Sequence, residues 1–282
     1  MNQQIDLRLP AGGERVVAAL NYLVPGPGKP FTYMYPPPPG EPERSGVYAA
    51  QAMPIHDGRA AGPFSLDLQG FALRPHRSAV GGFSDRQAIL GAYYREVEQL
   101  IREETGAEAV LAFDHNVRSA PKEAAGVPEI RSPVLRVHND YTFASAPQRV
   151  RALLGPAEAE RRLAGRFAFV NAWRPITEPV EDSPLALCDA RSIDPRDLVA
   201  IDLRYPDRTG EVFALRADPG HRWYYFPRMR RDELLLIKCY DSATDGRARL
   251  AAHTAFVNPA APAGAVPRES IEVRTVAFFP AG

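Results

Sequence analysis

The frequency of proline is the feature that most restricts how this chain can fold. The 282 residues include 28 prolines, which is roughly twice the average frequency. Because proline lacks a backbone N–H and interrupts helices and central strands, the chain must contain many turns and irregular connections. The proline content therefore disfavours a helical bundle.

Composition and charge indicate a globular protein without a polyanionic partner. The sequence is 45% hydrophobic and 24% charged, and its 34 basic and 34 acidic residues give no net charge. A protein that binds nucleic acid or an anionic membrane would be expected to carry an excess of basic residues. We therefore expect neither partner. The N-terminal stretch does not resemble a signal peptide, and no apolar run reaches about 18 residues, which leads us to expect a cytoplasmic protein.

The order of predicted elements favours an α+β, mainly β fold. Apolar residues at three- and four-residue spacing predict a helix over 85–105, with Ser84 as its N-cap and Gly106 as its end. Shorter helices are predicted at 146–154 and 157–164. Eight extended segments follow, at 167–173, 185–188, 198–203, 211–215, 222–226, 233–240, 250–256 and 270–279. Short strands at such spacing predict a jelly roll, not a parallel α/β sheet.

We expect a single catalytic domain over 1–282 with its jelly-roll core at 110–280. Residues 1–80 are rich in proline and glycine breakers, with short extended runs at 16–22, 31–35 and 64–71. This region is predicted to be an irregular N-terminal elaboration that covers the mouth of the barrel. Cys188 and Cys239 each lie in an apolar run, which is typical of buried thiols.

Three residues have the types and spacing of a metal site. His138 and Asp140 lie two positions apart at the end of an extended run, so their side chains can project from one face of a strand. His253 lies in a later apolar strand, where an imidazole without a partner is unfavourable. Two histidines and one carboxylate on one face of a metal leave three coordination positions open, and this arrangement suits non-haem Fe(II).

A basic residue and a hydroxyl follow the second histidine. Arg268 and Ser270 open the last strand and share its face, so a guanidinium and a hydroxyl can bind one carboxylate. Arg274 lies on the same strand with the same parity, and either arginine could face the barrel. The R-x-S pattern favours Arg268.

The order H-x-D, distal His, R-x-S resembles that of the Fe(II)/2-oxoglutarate-dependent oxygenases, whose cupin-like double-stranded β-helix is a distorted jelly roll. Five stretches are more specifically similar to cephalosporin 7-alpha-methoxylase subunits and gibberellin-desaturase-like fungal proteins: 171–175, 223–227, 235–242, 253–256 and 268–274. The resemblance implies that His138, Asp140 and His253 bind Fe(2+). It also implies that Arg268 and Ser270 bind the distal carboxylate of the co-substrate 2-oxoglutarate.

The resemblance further implies a reaction with O2 and a small molecule of specialised metabolism. The substrate would be hydroxylated, desaturated or cyclised through a ferryl intermediate, with release of succinate and CO2. Further candidates for contact with the substrate or with the ligands are His115, Arg118, Tyr141, Asn171, Trp173, Arg174, Tyr225, Lys238 and Arg274. For several of them a structural role is an open alternative: core packing for the tyrosines, a salt bridge for Arg174 and a solvated amine for Lys238.

Two other classes of function stay open at this point. A cupin-like hydrolase or isomerase could use the same three ligands with another divalent ion, but it would have no special use for Arg268 and Ser270. A non-catalytic binding module or accessory subunit would use the histidines only for packing.

Overall fold

The computed structural model describes residues 15–280 as two β-sheets with helices outside them. The nine-stranded sheet has the order β1-β3-β11-β8-β13-β6-β10-β9-β2, and the five-stranded sheet has the order β4-β12-β7-β14-β5. The strands are β1 Arg15–Leu23, β2 Phe31–Tyr33, β3 Tyr48–Asp57, β4 Phe71–Pro75, β5 Ala109–Ser119, β6 His138–Asn139, β7 Phe167–Pro175, β8 Leu185–Cys188, β9 Leu198–Arg204, β10 Thr209–Leu215, β11 Trp223–Tyr225, β12 Glu233–Asp241, β13 His253–Ala255 and β14 Glu269–Phe278. The mainly β architecture and the late strands agree with the prediction.

Strand β7 lies at the centre of the five-stranded sheet and is buried along its whole length. Phe167, Phe169 and Trp173 point into the core between the two sheets. The intervening Ala168 and Val170 point to the other face, where they meet the helical layer. Burial on both faces explains why the strand reads as a continuous apolar run without alternation.

The helical layer covers the outer face of the five-stranded sheet. It consists of α1 Arg86–Ala88, a π-helical turn at Ile89–Tyr93 and α2 Tyr94–Thr105, and it packs against the sheet through Val97 and Ile101. Its N-cap is Asp85 and not the predicted Ser84, because the Asp85 carboxylate accepts from the Gln87 backbone N–H at 2.8 Å. Gly106 ends the helix at φ 70°, a left-handed conformation that favours glycine.

Residues 15–280 contain three further α-helices, α3 Ala120–Ala124, α4 Ser145–Leu153 and α5 Pro156–Leu163, and two short 3-10 helices at Ala190–Ser192 and Pro195–Asp197. Ala146 and Val150 of α4 are buried in the same core as Phe167 and Phe278. Helix α4 therefore packs at one end of the space between the sheets. Within residues 15–280, no helix is long and apolar enough to cross a membrane.

The N-terminal region is more regular than predicted. Strand β1 pairs with β3 along nine positions, β3 runs parallel to β11, and β2 runs parallel to β9. The predicted strand at 64–71 is wrong, since this stretch is largely turn and the strand begins at Phe71. Strand β3 was missed because small and polar residues and Pro54 give it no alternating pattern, and its hydrogen-bonding partners come from other parts of the chain.

Candidate active site

The three predicted metal ligands lie together at the inner face of the nine-stranded sheet. His138 on β6 is the direct cross-strand neighbour of His253 on β13, and Asp140 follows β6 immediately. One ligand atom from each residue lies within 4.8 Å of the others, and His138 Nε2 is 3.6 Å from Asp140 Oδ1. Three donors at this spacing can surround a single divalent ion.

The surroundings of His138 leave it ready to bind a metal. His138 Nδ1 lies 2.8 Å from the Arg136 carbonyl oxygen, so Nδ1 can donate its proton there and leave the lone pair of Nε2 free. Burial, assisted by the neighbouring His253, lowers the pKa of His138 to about 3. The ring is therefore neutral at physiological pH, as a metal ligand must be.

Asp140 is held in place by two residues of the five-stranded sheet. Asn171 Nδ2 donates to Asp140 Oδ2 at 2.8 Å, and Arg274 Nε lies 3.5 Å from the same oxygen. Burial alone would raise the pKa of Asp140, but the Arg274 guanidinium, assisted by the Asn171 hydrogen bond, outweighs it and lowers the pKa below its usual range. The carboxylate is therefore ionised, with Oδ2 engaged by the protein and Oδ1 directed toward His138.

Arg268 and Ser270 are both buried, and in residues 15–280 no carboxylate oxygen lies within 4.0 Å of the Arg268 guanidinium. Arg268 is 2% exposed; its Nη1 donates to the Ser183 carbonyl, and its guanidinium lies 5.4 Å from the Trp173 ring centroid. Within the described chain, Arg268 Nε and Ser270 Oγ have no hydrogen-bond partner. Burial and the nearby Arg118 lower the pKa of Arg268 to about 9. A buried cation beside an unpaired hydroxyl fits a carboxylate supplied from outside the chain.

Arg274 differs from Arg268 because its guanidinium is already close to carboxylates of the protein. Its Nη1 lies 3.0 Å from Asp114 Oδ2, and its Nε lies near both Asp140 and Glu272. Although burial opposes its charge, Asp140 and Glu272 raise the pKa of Arg274 above its usual value. The two arginines thus have different surroundings, although Arg268 immediately precedes β14 and has the same parity as Arg274.

Three more of the predicted residues point into the space between the sheets. Trp173 belongs to the core there. Tyr141 stacks on Phe169 with ring centroids 4.1 Å apart, and Arg118 on β5 donates to the Ser132 carbonyl at 2.9 Å. Tyr141 and Arg118 both line a large cavity beside Asp140.

His115 and Arg174 do not face this space, which corrects their prediction as substrate contacts. His115 Nδ1 lies 2.8 Å from the Tyr94 hydroxyl on α2. Arg174 Nη2 lies 2.8 Å from His76 Nδ1. Within residues 15–280 no carboxylate oxygen lies within 4.0 Å of its guanidinium, so the alternative salt bridge to a following carboxylate is also wrong. Both residues lie at strand positions whose parity places them on the outer face of the five-stranded sheet.

Lys238 and Tyr225 require the same correction. Lys238 Nζ lies 2.8 Å from Asp67 Oδ1 and 2.9 Å from Asp241 Oδ2, so it belongs to an ionic cluster outside the barrel. Tyr225 packs edge-on against Phe256, on the opposite side of β11 from the Tyr224 side chain. Its neighbour Tyr224, and not Tyr225, shares the inner core.

The cavity has a volume of about 1200 Å³ and reaches Asp140, Tyr141 and Arg274. Its walls come from β5, the segments 131–136 and 32–37, helix α4 and strand β10. Sequence reasoning missed the polar residues Asp114 and Asn116 of this wall. Their alternation with Arg118 along a strand was a signal that one face of β5 meets polar surroundings.

Comparisons with known proteins agree with this geometry. Residues 20–278 match the family described as an oxidoreductase/YMDC permease-like domain, and the chain belongs to it. The hydroxylase/desaturase efuI of Hormonema carpetanum is 36% identical over 82% of this chain and 85% of its own. The Fe(II)/2-oxoglutarate-dependent dioxygenase nvfI of Aspergillus novofumigatus is 35% identical over 87% of this chain and 90% of its own.

A solved structure of the iron and alpha-ketoglutarate-dependent endoperoxidase NvfI superposes with a TM-score of 0.84 at 30% identity, covering 94% of this chain and 98% of that one. The chain belongs to the iron- and 2-oxoglutarate-dependent dioxygenases. The predicted enzyme class, the double-stranded β-helix fold and the two cofactors are thereby confirmed. These relatives do not show membership of the more specific methoxylase and gibberellin-desaturase-like group.

Proposed function

We propose that this dioxygenase binds Fe(II) through His138, Asp140 and His253 and binds the distal carboxylate of 2-oxoglutarate through Arg268 and Ser270. The observation that carries the second assignment is the pair of unpartnered buried atoms, Arg268 Nε and Ser270 Oγ. Arg274 lies on the same face, but Asp114 and Asp140 already neutralise it. A bidentate carboxylate would supply the anion that Arg268 lacks.

When bound, iron, 2-oxoglutarate and O2 together supply the oxidation that removes hydrogen from a substrate carbon, with succinate and CO2 as co-products. The residues of the chain bind and orient the participants. Asn171 and Arg274 fix the Asp140 carboxylate, and the Arg136 carbonyl fixes the His138 ring. The cavity beside Asp140 would hold a small organic substrate, and its shape would select hydroxylation, desaturation or cyclisation.

Two finer assignments belong to the same proposal. Membership of the methoxylase and gibberellin-desaturase-like group is supported by the five similar stretches between 171 and 274. A single catalytic domain over 1–282, with core 110–280 and with 1–80 as a cover over the barrel mouth, is supported by residues 32–37, which line the cavity.

The assignment of Arg268 can be tested by co-substrate binding without turnover. Anaerobic Fe(II) protein with 2-oxoglutarate should show a visible charge-transfer band, and titration of that band gives the Kd. We expect Arg268→Gln to weaken 2-oxoglutarate binding about 100-fold or more, because a buried charge pair loses one partner. Affinity for Fe(II) should change little.

The matched control is Arg174→Gln, which removes an equally buried guanidinium from the outer face of the same sheet. This control should keep wild-type affinity for 2-oxoglutarate. Unchanged binding in a folded Arg268→Gln protein would contradict the assignment of that residue. Absence of the band in the wild-type protein would contradict the assigned metal and 2-oxoglutarate sites.

A further inference from the structure

The cavity beside the metal ligands is much larger than the co-substrate requires. Its volume of about 1200 Å³ exceeds that of typical sites for drug-sized ligands, roughly 300–1,000 Å³. Arg268, to which the distal carboxylate of 2-oxoglutarate is assigned, does not line this cavity and is 2% exposed. The cavity walls are therefore available to the substrate.

The cavity walls carry an excess of positive charge. Most of their carboxylates are engaged by other protein groups, whereas most of their arginines are not. Seven arginines and five carboxylates line the cavity. Arg44 pairs with Glu43, and Arg274 pairs with Asp114 and Asp140. The other two carboxylates are also engaged: Glu211 contacts Lys29 and Thr142, and Glu123 contacts Ser132.

Five lining arginines have no carboxylate of the described residues within ion-pair distance, although Glu123 and Glu272 act on Arg118, and Glu123 acts on Arg131, from further away. In residues 15–280, no carboxylate oxygen lies within 4.0 Å of a guanidinium nitrogen of Arg118, Arg131, Arg136, Arg149 or Arg208. The whole chain has no net charge, so this excess is a local property of the cavity. Such an excess attracts anions and raises their local concentration.

Two of these residues lie on one segment that lines the cavity and form the arginine wall, defined as Arg131 and Arg136. Arg118 is not counted in the wall, because it is the direct cross-strand neighbour of Ser270 and lies near Arg268. The segment 131–136 is joined to β5 by a bridge between Arg118 and Arg131 and by the hydrogen bond from Arg118 Nη1 to the Ser132 carbonyl. The Arg136 guanidinium lies 5.7 Å from the Tyr48 ring centroid. An aromatic ring orients a guanidinium without neutralising its charge.

The arginine wall is adjacent in sequence to a metal ligand. Arg136 precedes His138 by two residues, and its carbonyl accepts from that imidazole. Asp140 and Tyr141 line the same cavity as the wall. A substrate bound by the wall would therefore extend through this cavity toward them. A planar guanidinium can bind a carboxylate bidentately, which fixes orientation as well as charge.

We propose that the substrate of this dioxygenase is an organic acid whose carboxylate is bound by the arginine wall while its apolar part lies toward Asp140. The proposal rests on the oxygenase function above. It concerns a carboxylate other than the two carboxylates of 2-oxoglutarate, because it uses arginines on the cavity wall and not Arg268.

The test compares naphthoate with its uncharged methyl ester, both of which fluoresce, on anaerobic Fe(II) protein saturated with 2-oxoglutarate. The wild-type protein should bind the acid about tenfold or more tightly than the ester. Arg136→Gln should remove most of this preference by weakening the acid alone, since only the acid interacts with the lost charge. Arg131→Gln should act in the same direction and provides a second variant if Arg136→Gln does not fold.

The matched control is Arg196→Gln, which also removes one positive charge but from an exposed pair with Asp194. It should leave both affinities unchanged. Equal binding of acid and ester, failure of both to bind, or an equal loss of both in Arg136→Gln would overturn the inference. A parallel loss of 2-oxoglutarate affinity in Arg136→Gln would also overturn it, because the wall would then serve the co-substrate.

The two proposals fail in different ways. If the protein gives no charge-transfer band with Fe(II) and 2-oxoglutarate, the assignment of the co-substrate site is wrong, whether or not naphthoate and its ester bind. If the band forms but the acid and the ester bind alike, only the substrate class is wrong.

Discussion

Asp140 depends on Asn171 for its orientation. The amide donates to Asp140 Oδ2 at 2.8 Å, and Asn171 itself is fully buried on β7. A carboxylate that is fixed before the metal arrives loses less entropy on binding, and supporting residues of this kind commonly contribute 10- to 100-fold in affinity.

We therefore expect Asn171→Ala to weaken metal binding by about 10- to 100-fold. Anaerobic titration with Co(II), followed by its visible absorption, measures the affinity directly. Val170→Ala on the same strand points to the opposite face and serves as the control, with lower stability and unchanged metal affinity. Wild-type affinity in Asn171→Ala would mean that Arg274 alone orients Asp140.

At the scale of elements, the outer face of the five-stranded sheet contains an ionic cluster that serves stability. Lys238 on β12 contacts Asp241 and Asp67, and Asp241 also accepts from Arg166 at 2.7 Å. Lys238 and Asp241 are both buried. Removing one partner from such a cluster leaves a charge in a poorly solvated position.

Lys238→Met should lower the free energy of unfolding by about 3 kcal/mol. Urea denaturation measures the loss, and the affinities for metal and 2-oxoglutarate should not change. Lys122→Met is the matched control, because Lys122 is exposed and its pair with Glu269 should contribute less than about 1 kcal/mol. A variant with normal stability but impaired substrate turnover would restore Lys238 as a functional residue.

At the scale of the whole molecule, burial of histidines should control stability in mild acid. Burial is the main cause that lowers the pKa of five histidines: His56, His76, His115, His138 and His221. In the unfolded chain an imidazole has a pKa of about 6.5. As the pH falls below this value, the unfolded state takes up protons that the folded state does not, and stability decreases.

The metal-free protein should thus have its full histidine contribution above about pH 6.5 and lose stability from there downward, by up to about 1.4 kcal/mol per pH unit for each proton. Urea denaturation between about pH 8 and pH 5 tests this dependence. His115→Gln should make the slope shallower. A free energy of unfolding that stays constant to about pH 5 would show that the folded imidazoles protonate normally.

The sequence by itself determined the chemistry and the element types. Residue type and order identified His138, Asp140 and His253 as candidate ligands, and most strands after residue 166 begin and end within two residues of the predicted bounds. These signals are local: they depend on side-chain chemistry, on proline and glycine, and on runs of apolar residues, all of which act over a few positions.

Only the tertiary structure decided which strand face meets the metal and how the charges pair. Parity along β7 predicted that Asn171 and Trp173 share a face, but not that the face of Arg174 is the outer one, because both faces of this strand are buried. Arg268 and Arg274 have the same parity as well, and they differ only because Asp114 and Asp140 approach Arg274 from distant parts of the chain. Pairing at such distances is set by the sheet topology, which no local pattern contains.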